Sequence, residues 1–371
     1  MPIGLVVREN KKLVLEKLPL PPYGPKDLLI KVIHAAQNPT DWKHVQFGLA
    51  KPGSIVGCDF VGKVVKIGKE AVGDYKKGER VAGCVHGGLD PEMNIRGAFS
   101  EYVVQEASLV FRYPSTILPE QIVTLPLVSI TAALGVFHEM KLPFPPEIVQ
   151  ADFLVWAGST SVGQCVIQLV KSIGCYVITT ASPQRHEYLK GLGADVCFDY
   201  RDPNVVSLIK QAAHGDLAYA FDCFSELEST KQVCAALTAK DSQLVTVLPF
   251  IRTELPPHIR EHRVLMYTIF GIERNLFGQF YAQRQQDKEF AEKFYKLLST
   301  YFLPKGLLKP NRVTKIPGGL NGIKDGFKKM IDNQIAAEKL VYTIAETDDS
   351  SLSWLCCRRL FSNHISSSYE N

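Results

Sequence analysis

The sequence predicts an α/β protein: a doubly wound parallel sheet joined to a mostly-β, barrel-like domain. Three features predict it. Over the first 120 or so residues, short β-type runs at 28–34, 59–67, 80–85 and 102–104 are punctuated by Gly and Pro. From Phe153 the rhythm becomes strand–helix alternation, the pattern of parallel strands with crossover helices. At the head of that alternating part an apolar strand runs straight into a small-residue turn and a helix.

The elements follow in order. Residues 119–139 carry the first long helical period. Residues 153–157 form a compact apolar strand, and 162–173 a helix with Val162, Val166, Ile167, Leu169, Val170 and Ile173 on or near one face. Apolar runs at 176–180, 194–198, 218–223 and 244–248 supply further strands, and 289–298 another helix. Residues 313–344 read as a return to the first domain, with a Gly318-Gly319 turn, a helix over 323–333 and a closing strand at 339–344. The expected organisation is a β domain over 1–120, completed by about 305–345, and a parallel-sheet domain over 121–304. Residues 346–371 are Ser-rich, carry Cys356-Cys357 and Arg358-Arg359, and keep no period, so a disordered or loosely attached tail is expected.

Composition narrows the function classes. Of 371 residues 46% are apolar and 22% charged, the balance of a soluble globular chain with a sizeable core. The net charge of +4 is small and its lysines and arginines are scattered, which argues against a nucleic-acid or membrane-surface footprint. The first 20 residues are broken by charges and read as no signal peptide, and no stretch is long and apolar enough to span a bilayer. Nine cysteines stand without a C-x-x-C pair, which reads as reduced thiols in a cytoplasmic protein.

The chemistry-bearing segment is Gly158-Ser159-Thr160-Ser161-Val162-Gly163. A small-residue turn lets backbone approach a pyrophosphate, and the free N–H groups that open the following helix stabilise its charge. Thr160 stands where the second glycine of the usual G-x-G-x-x-G would be. The next strand ends Thr179-Thr180-Ala181-Ser182-Pro183-Gln184-Arg185, without the acid that would hold a ribose 2′-hydroxyl. Ser182 can donate a hydrogen bond, Arg185 carries a permanent charge suited to a 2′-phosphate, and Tyr200 can add a hydroxyl. The expected cofactor is NADPH.

Further motifs carry a resemblance. Gly57-Cys58-Asp59-Phe60-Val61-Gly62-Lys63-Val64-Val65-Lys66-Ile67-Gly68, Gly78-Glu79-Arg80-Val81 and Gly97-Ala98-Phe99-Ser100-Glu101-Tyr102, with the closing Glu338-Lys339-Leu340-Val341-Tyr342, resemble the zinc-free, quinone-oxidoreductase-like branch of the medium-chain dehydrogenase/reductase superfamily. That resemblance covers residues 1 to about 345 and implies a Rossmann sheet beside a GroES-like barrel. Zinc alcohol dehydrogenases of the superfamily need a Cys, a His-Glu pair and a further Cys or His; here Gln37-Asn38-Pro39-Thr40 and Gly57-Cys58-Asp59 stand at the first two, and no four-cysteine cluster exists. No metal is therefore expected, and Cys58, His44 and Asp59 read as buried thiol and core polar groups rather than an improvised site. Without a Lewis acid, alcohol oxidation loses its means of polarising the oxygen, whereas conjugate reduction uses a double bond that a carbonyl has already made electrophilic.

The segments Asn38-Pro39-Thr40-Asp41-Trp42-Lys43, Ser129-Ile130-Thr131-Ala132-Ala133-Leu134-Gly135-Val136-Phe137 and Ser182-Pro183-Gln184-Arg185 are most similar to fungal trans-acting enoyl reductases of polyketide biosynthesis. The resemblance implies reduction, with NADPH, of the α,β-double bond of a chain held as a thioester on the acyl carrier domain of a partner polyketide synthase. It implies that Thr40, Asp41, Trp42 and Lys43 lie by the cofactor and that Ser159, Thr160, Ser161 and Val162 hold the pyrophosphate. Ser182, Pro183, Gln184, Arg185 and Tyr200 would hold the 2′-phosphate end, and Val247, Leu248, Val341 and Tyr342 would flank the nicotinamide. Thr131 to Phe137 and Tyr267-Thr268-Ile269-Phe270-Gly271 would line the acyl pocket, although the first reads equally as interdomain packing and the second as a dimer-edge strand. Hydride goes to the β-carbon and a proton to the α-carbon, with Lys43, Tyr267 or water as the donor. A stand-alone quinone or enone reductase, or a non-catalytic NADPH-binding protein, are the alternatives; a monomer and a homodimer both stay open.

Overall fold

The computed structural model describes residues 1–88, 97–248, 254–276, 278–348 and 350. Most of the expected tail, 346–371, lies outside the described residues. An N-terminal hairpin, β1 (Ile3–Arg8) and β2 (Lys12–Lys17), precedes β3 (Asp27–Ala36), helix α1 (Pro39–Gln46), β4 (Asp59–Ile67), β5 (Arg80–Cys84), β6 (Tyr102–Glu106) and β7 (Val110–Phe111). Helices α2 (Pro119–Ile122) and α3 (Pro126–Ala133), the latter running on as a π-helical stretch to Glu139, lead into the alternating part. There β8 (Asp152–Trp156), α4 (Ser161–Ser172), β9 (Tyr176–Thr180), α5 (His186–Lys190), β10 (Val196–Phe198), α6 (Val205–Ala212), β11 (Tyr219–Asp222), α7 (Leu227–Ala236), β12 (Ser242–Thr246) and β13 (Ile259–Arg263) follow one another. A small hairpin, β14 (Arg274–Leu276) and β15 (Gln279–Tyr281), then α8 (Gln285–Leu297), β16 (Arg312–Ile316), α9 (Ile323–Ile331) and β17 (Glu338–Thr343) complete the chain.

The six parallel strands run in the order β10-β9-β8-β11-β12-β13, so the winding reverses beside β8. The second sheet runs β16-β17-β3-β4-β5-β7, with β6 on the first half of β3 and β17 on its last residues. The end of the chain thus closes the sheet that its beginning opens. β13, Ile-Arg-Glu-His-Arg, went unanticipated because it has no apolar run. It is an edge strand with one partner, tied sideways by Thr246 Oγ1 donating to Glu261 at 2.8 Å and by a contact of His262 with Gln243 at 3.1 Å. Among the described residues no helix is long and apolar enough to cross a membrane, and the seven described cysteines are all free thiols.

One buried cluster ties two strands of the second sheet to the starts of α1 and α3. Asp59 on β4 accepts from Lys339 Nζ on β17 at 2.5 Å and from Asn38 Nδ2 at 3.0 Å, while its other oxygen accepts the Leu127 N–H of α3 at 2.8 Å. Lys339 also donates to the Thr124 carbonyl at 3.2 Å, and the ion pair is 1% and 0% exposed. Asn38 opens α1, where its N–H donates to Asp41 at 2.7 Å. Asp41 is itself buried, and burial pushes its carboxyl up to about 7.

Two predictions follow from this packing. Lys339→Met leaves Asp59 as an unpaired buried charge and should lower unfolding stability by about 3–5 kcal/mol in a denaturant titration, with Asp59→Asn added in the same chain recovering part of the loss. Folded Asp41 keeps its proton up to about 7 while the unfolded carboxyl releases it near 3.8, so its contribution to stability is whole below the lower value and lost as pH climbs to the upper. His44, lowered to about 4 by burial, acts in the opposite sense. The readout is therefore the difference between wild type and Asp41→Asn, in which the wild type should lose ground between about pH 4 and 7 and hold level above it.

Candidate active site

At the end of β8, Ala157 turns left-handed at φ 58° and hands the chain to Gly158. A Cβ at Gly158 would lie 2.0 Å from Thr179 Oγ1, and one at Gly163 would lie 2.7 Å from the Ala157 carbonyl, so neither position has room for a side chain. Thr160 replaces a glycine with a working part: its Oγ1 accepts the Gly163 N–H at 3.0 Å and donates to the Ala157 carbonyl at 2.9 Å. That caps α4 and leaves the N–H groups of Ser161 and Val162, which have no intrahelical acceptor, at the mouth of the helix. The cradle lies where the strand order reverses, the place at which open α/β sheets bind ligands. A pyrophosphate fits it.

The next strand ends are in register, with Thr180 of β9 opposite Phe198 of β10, so Ser182 and Tyr200 emerge side by side. Ser182 precedes a single 3-10 turn, Pro183–Arg185. Arg185 is half-buried and has no ion-pair partner among the described residues, while Pro183, Gln184 and Tyr200 are exposed. Arg201, a second cation here, is neutralised by Asp199 at 2.8 Å and lies over the Tyr200 ring. On α1, Thr40, Trp42 and Lys43 are half-buried, with Trp42 packed against the barrel core. Lys43 Nζ lies 5.7 Å from the Trp42 ring; burial lowers its pKa, opposed by the charge of Glu226 in the loop after β11.

The barrel and the sheet meet chemically at Tyr267. Its hydroxyl lies 2.5 Å from Thr40 Oγ1 and 3.9 Å from Cys58 Sγ, and Thr40 Oγ1 in turn lies 2.9 Å from His44 Nε2. The Tyr267 ring stacks on His86, centroids 3.8 Å apart at 13°, and His86 stacks in turn on Phe270. Burial holds the Tyr267 hydroxyl well above its usual pKa and the two imidazoles well below theirs, His44 at about 4. All three groups are therefore neutral near pH 7, and the tyrosine keeps its proton. His86 escaped the sequence reading because nothing in its local pattern separates it from a core histidine, and His44 was read there as a core polar group.

Several expectations need correction. Asp41 is 1% exposed and its carboxyl caps α1, so the side chain does not face the cofactor. Residues 131–137 are buried and pack on the parallel sheet: a Cβ on Gly135 would strike Phe221 of β11 and Val245 of β12, and Thr131 Oγ1 is turned back onto the Leu127 carbonyl. They pack within the parallel-sheet domain, against β11 and β12. Residues 267–271 form a 3-10 turn, Met266–Phe270, capped by left-handed Gly271, and not an edge strand. Within it Thr268 is tied to Asp287 and Ile269 is fully buried, leaving Tyr267 and Phe270 at the site. Tyr342 is fully buried and bonded to Gln37, its ring within the barrel core; Val341 alone faces the sheet side. Val247 and Leu248 are half-buried at the end of β12, held where the Val247 N–H meets Ser225 Oγ at 2.8 Å.

A zinc ion does not fit this cleft. Asn38 spends its amide N–H on Asp59, Asp59 is neutralised by Lys339, and burial holds Cys58 as the thiol. Among the described residues one group has ligand atoms near enough together for a cation, His138, Glu139 and Asp287, and Arg284 already bridges its two carboxylates at 2.9 and 3.2 Å.

Comparison with known proteins accords with this geometry. Residues 24–115 match the alcohol dehydrogenase GroES-like domain and residues 161–295 the zinc-binding dehydrogenase family. Trans-enoyl reductase ACTTS2 of Alternaria alternata is 34% identical over 343 residues, 92% of this chain and 98% of the relative. Trans-enoyl reductase thnE of Trichoderma harzianum is 33% identical over 92% and 96%. A zinc-type alcohol dehydrogenase-like protein of Schizosaccharomyces pombe is 34% identical over 91% and 97%. Among solved structures, an alcohol dehydrogenase superfamily protein from Novosphingobium aromaticivorans superposes with a TM-score of 0.73 at 23% identity, covering 92% of this chain and 99% of its own. The CurK enoyl reductase superposes at 0.72 and 19%, with the same coverage. With relatives at this identity along nearly its whole length, the chain belongs to the medium-chain dehydrogenase/reductase superfamily, in the company of fungal trans-enoyl reductases.

Proposed function

We propose that the protein is a cytoplasmic, NADPH-dependent trans-acting enoyl reductase, reducing the α,β-double bond of a polyketide thioester presented by the acyl carrier domain of a partner synthase. What supports this reading is the tight Gly158–Gly163 turn capped by Thr160 at the opening of α4, together with relatives named as trans-enoyl reductases. When bound, the reduced nicotinamide supplies hydride. The residues of the chain supply the rest. Ser161 and Val162 amides hold the pyrophosphate, Ser182, Arg185 and Tyr200 hold the 2′-phosphate, and Val247, Leu248 and Val341 flank the ring. Lys43, Tyr267 or water delivers the α-proton. The absence of an acid at the end of β9 supports NADPH over NADH, since Arg185 has no other anion to serve.

Arg185→Ala should weaken NADPH binding at least about tenfold, ~1.4 kcal/mol, in a fluorescence titration and leave NADH binding unchanged; equal losses for both nucleotides would remove Arg185 from the 2′-phosphate site. Lys43→Ala should lower kcat/KM for a pantetheine-linked enoyl thioester by about 10²-fold if it touches the reacting centre, and unchanged kinetics would exclude it. Turnover of the same thioester against a free quinone separates the carrier-linked reading from a stand-alone quinone reductase.

A further inference from the structure

His86 follows β5 and is 7% exposed, yet neither of its ring nitrogens has a hydrogen-bond partner among the described residues. The imidazole is neutral there, because burial and the nearby charge of Arg274 both disfavour the cation. A neutral imidazole still carries one N–H, and a buried N–H without an acceptor is destabilising. Ring packing fixes its aim: one face lies on Tyr267 at 3.8 Å and Phe270 stacks in near-parallel at 6.0 Å, so the nitrogens at its edge are not covered by the stack. The Tyr267 hydroxyl lies beside it, 2.5 Å from the half-buried Thr40 Oγ1. An uncommitted neutral N–H in a desolvated place suits an oxygen that gains negative charge.

We propose that His86 is a catalytic hydrogen-bond donor to the thioester carbonyl oxygen, the atom that holds the charge once hydride has reached the β-carbon. This rests on the enoyl-reductase reading above. Hydride brings two electrons to the β-carbon; the alkene pair moves into the α-carbon–carbonyl bond and the carbonyl pair onto oxygen. His86 gives that oxygen a hydrogen bond and keeps its proton. The carbonyl then re-forms as the α-carbon takes a proton from Lys43, Tyr267 or water, so the sum is one hydride and one proton added across the double bond.

The test is His86→Phe, which keeps the stacked ring and deletes the donor, beside His86→Gln, which restores an N–H. Three readouts are taken: NADPH affinity, melting temperature, and steady-state kinetics on a pantetheine-linked enoyl thioester. His86→Phe should lower kcat by about 10²-fold with NADPH affinity unchanged, raise or keep the melting temperature because an orphan donor is gone, and be partly rescued in kcat by His86→Gln. An active, unaltered His86→Phe would overturn the inference. So would a lowered melting temperature with loss of NADPH binding, which marks a packing role. A wild-type enzyme that binds NADPH and reduces no enoyl thioester would instead overturn the enoyl-reductase reading.

Discussion

The Lys339–Asp59 ion pair is the constraint on which the rest depends. It gathers β4, the strand that returns from the far end of the chain, the residue that caps α1 and the start of α3 at one buried point. Each of those elements carries part of the site: α1 presents Thr40 and Lys43, and α3 begins the interdomain layer that seats the barrel on the parallel sheet. A charge pair this dry is not cheap to bury, and an apolar pair of similar size could hold the fold as well. What the polar version adds is direction. Asp59 accepts from three separate segments at fixed geometry, so α1 has a defined position relative to the sheet edge, and Thr40 meets Tyr267 across that boundary.

The same carboxylate is poorly placed to hold a metal ion. Asp59 follows Cys58 in the strand that would offer ligands in a zinc enzyme, but its lone pairs are consumed by Lys339, Asn38 and a backbone amide. The space is then held by neutral hydroxyl, thiol and imidazole groups around Tyr267. Such a set polarises weakly and donates well. It suits a substrate that is already activated and needs only its growing charge received, as a conjugated thioester does.

Much of the fold was legible in the sequence because its signals are local. The strand before Gly158, the helix after it and the parallel rhythm beyond each declare themselves within about a dozen residues. Gly158 and Gly163 read correctly because sterics alone demands them, as the contacts of their missing Cβ atoms show. Thr160 looked like a departure and is a substitute: a hydroxyl cap does by hydrogen bonding what a glycine does by yielding space. What stayed hidden is non-local. Asp59 and Lys339 are 280 positions apart, and Tyr267 and Thr40 are 227 apart, so no window of sequence contains either pair. Residues 131–137 misled because small residues on a helix serve close packing and pocket lining equally well. Only the approach of Phe221 and Val245 to Gly135 decides between the two.

The stability of the chain and its chemistry draw on the same interior in opposite ways. Around Asp59 both carboxylate oxygens are hydrogen-bonded, and the cluster holds the architecture. A short way off, the two ring nitrogens of buried His86 have no hydrogen-bond partner among the described residues. Unmatched groups of this kind cost stability and persist only where the surrounding framework can bear the cost. Here the satisfied cluster and the unsatisfied one are joined through α1, since Asn38 at its start belongs to the first and Thr40, two residues on, to the second. The rigid pair therefore fixes the place of the frustrated groups, and a substrate oxygen entering the cleft would find donors already oriented rather than having to recruit them.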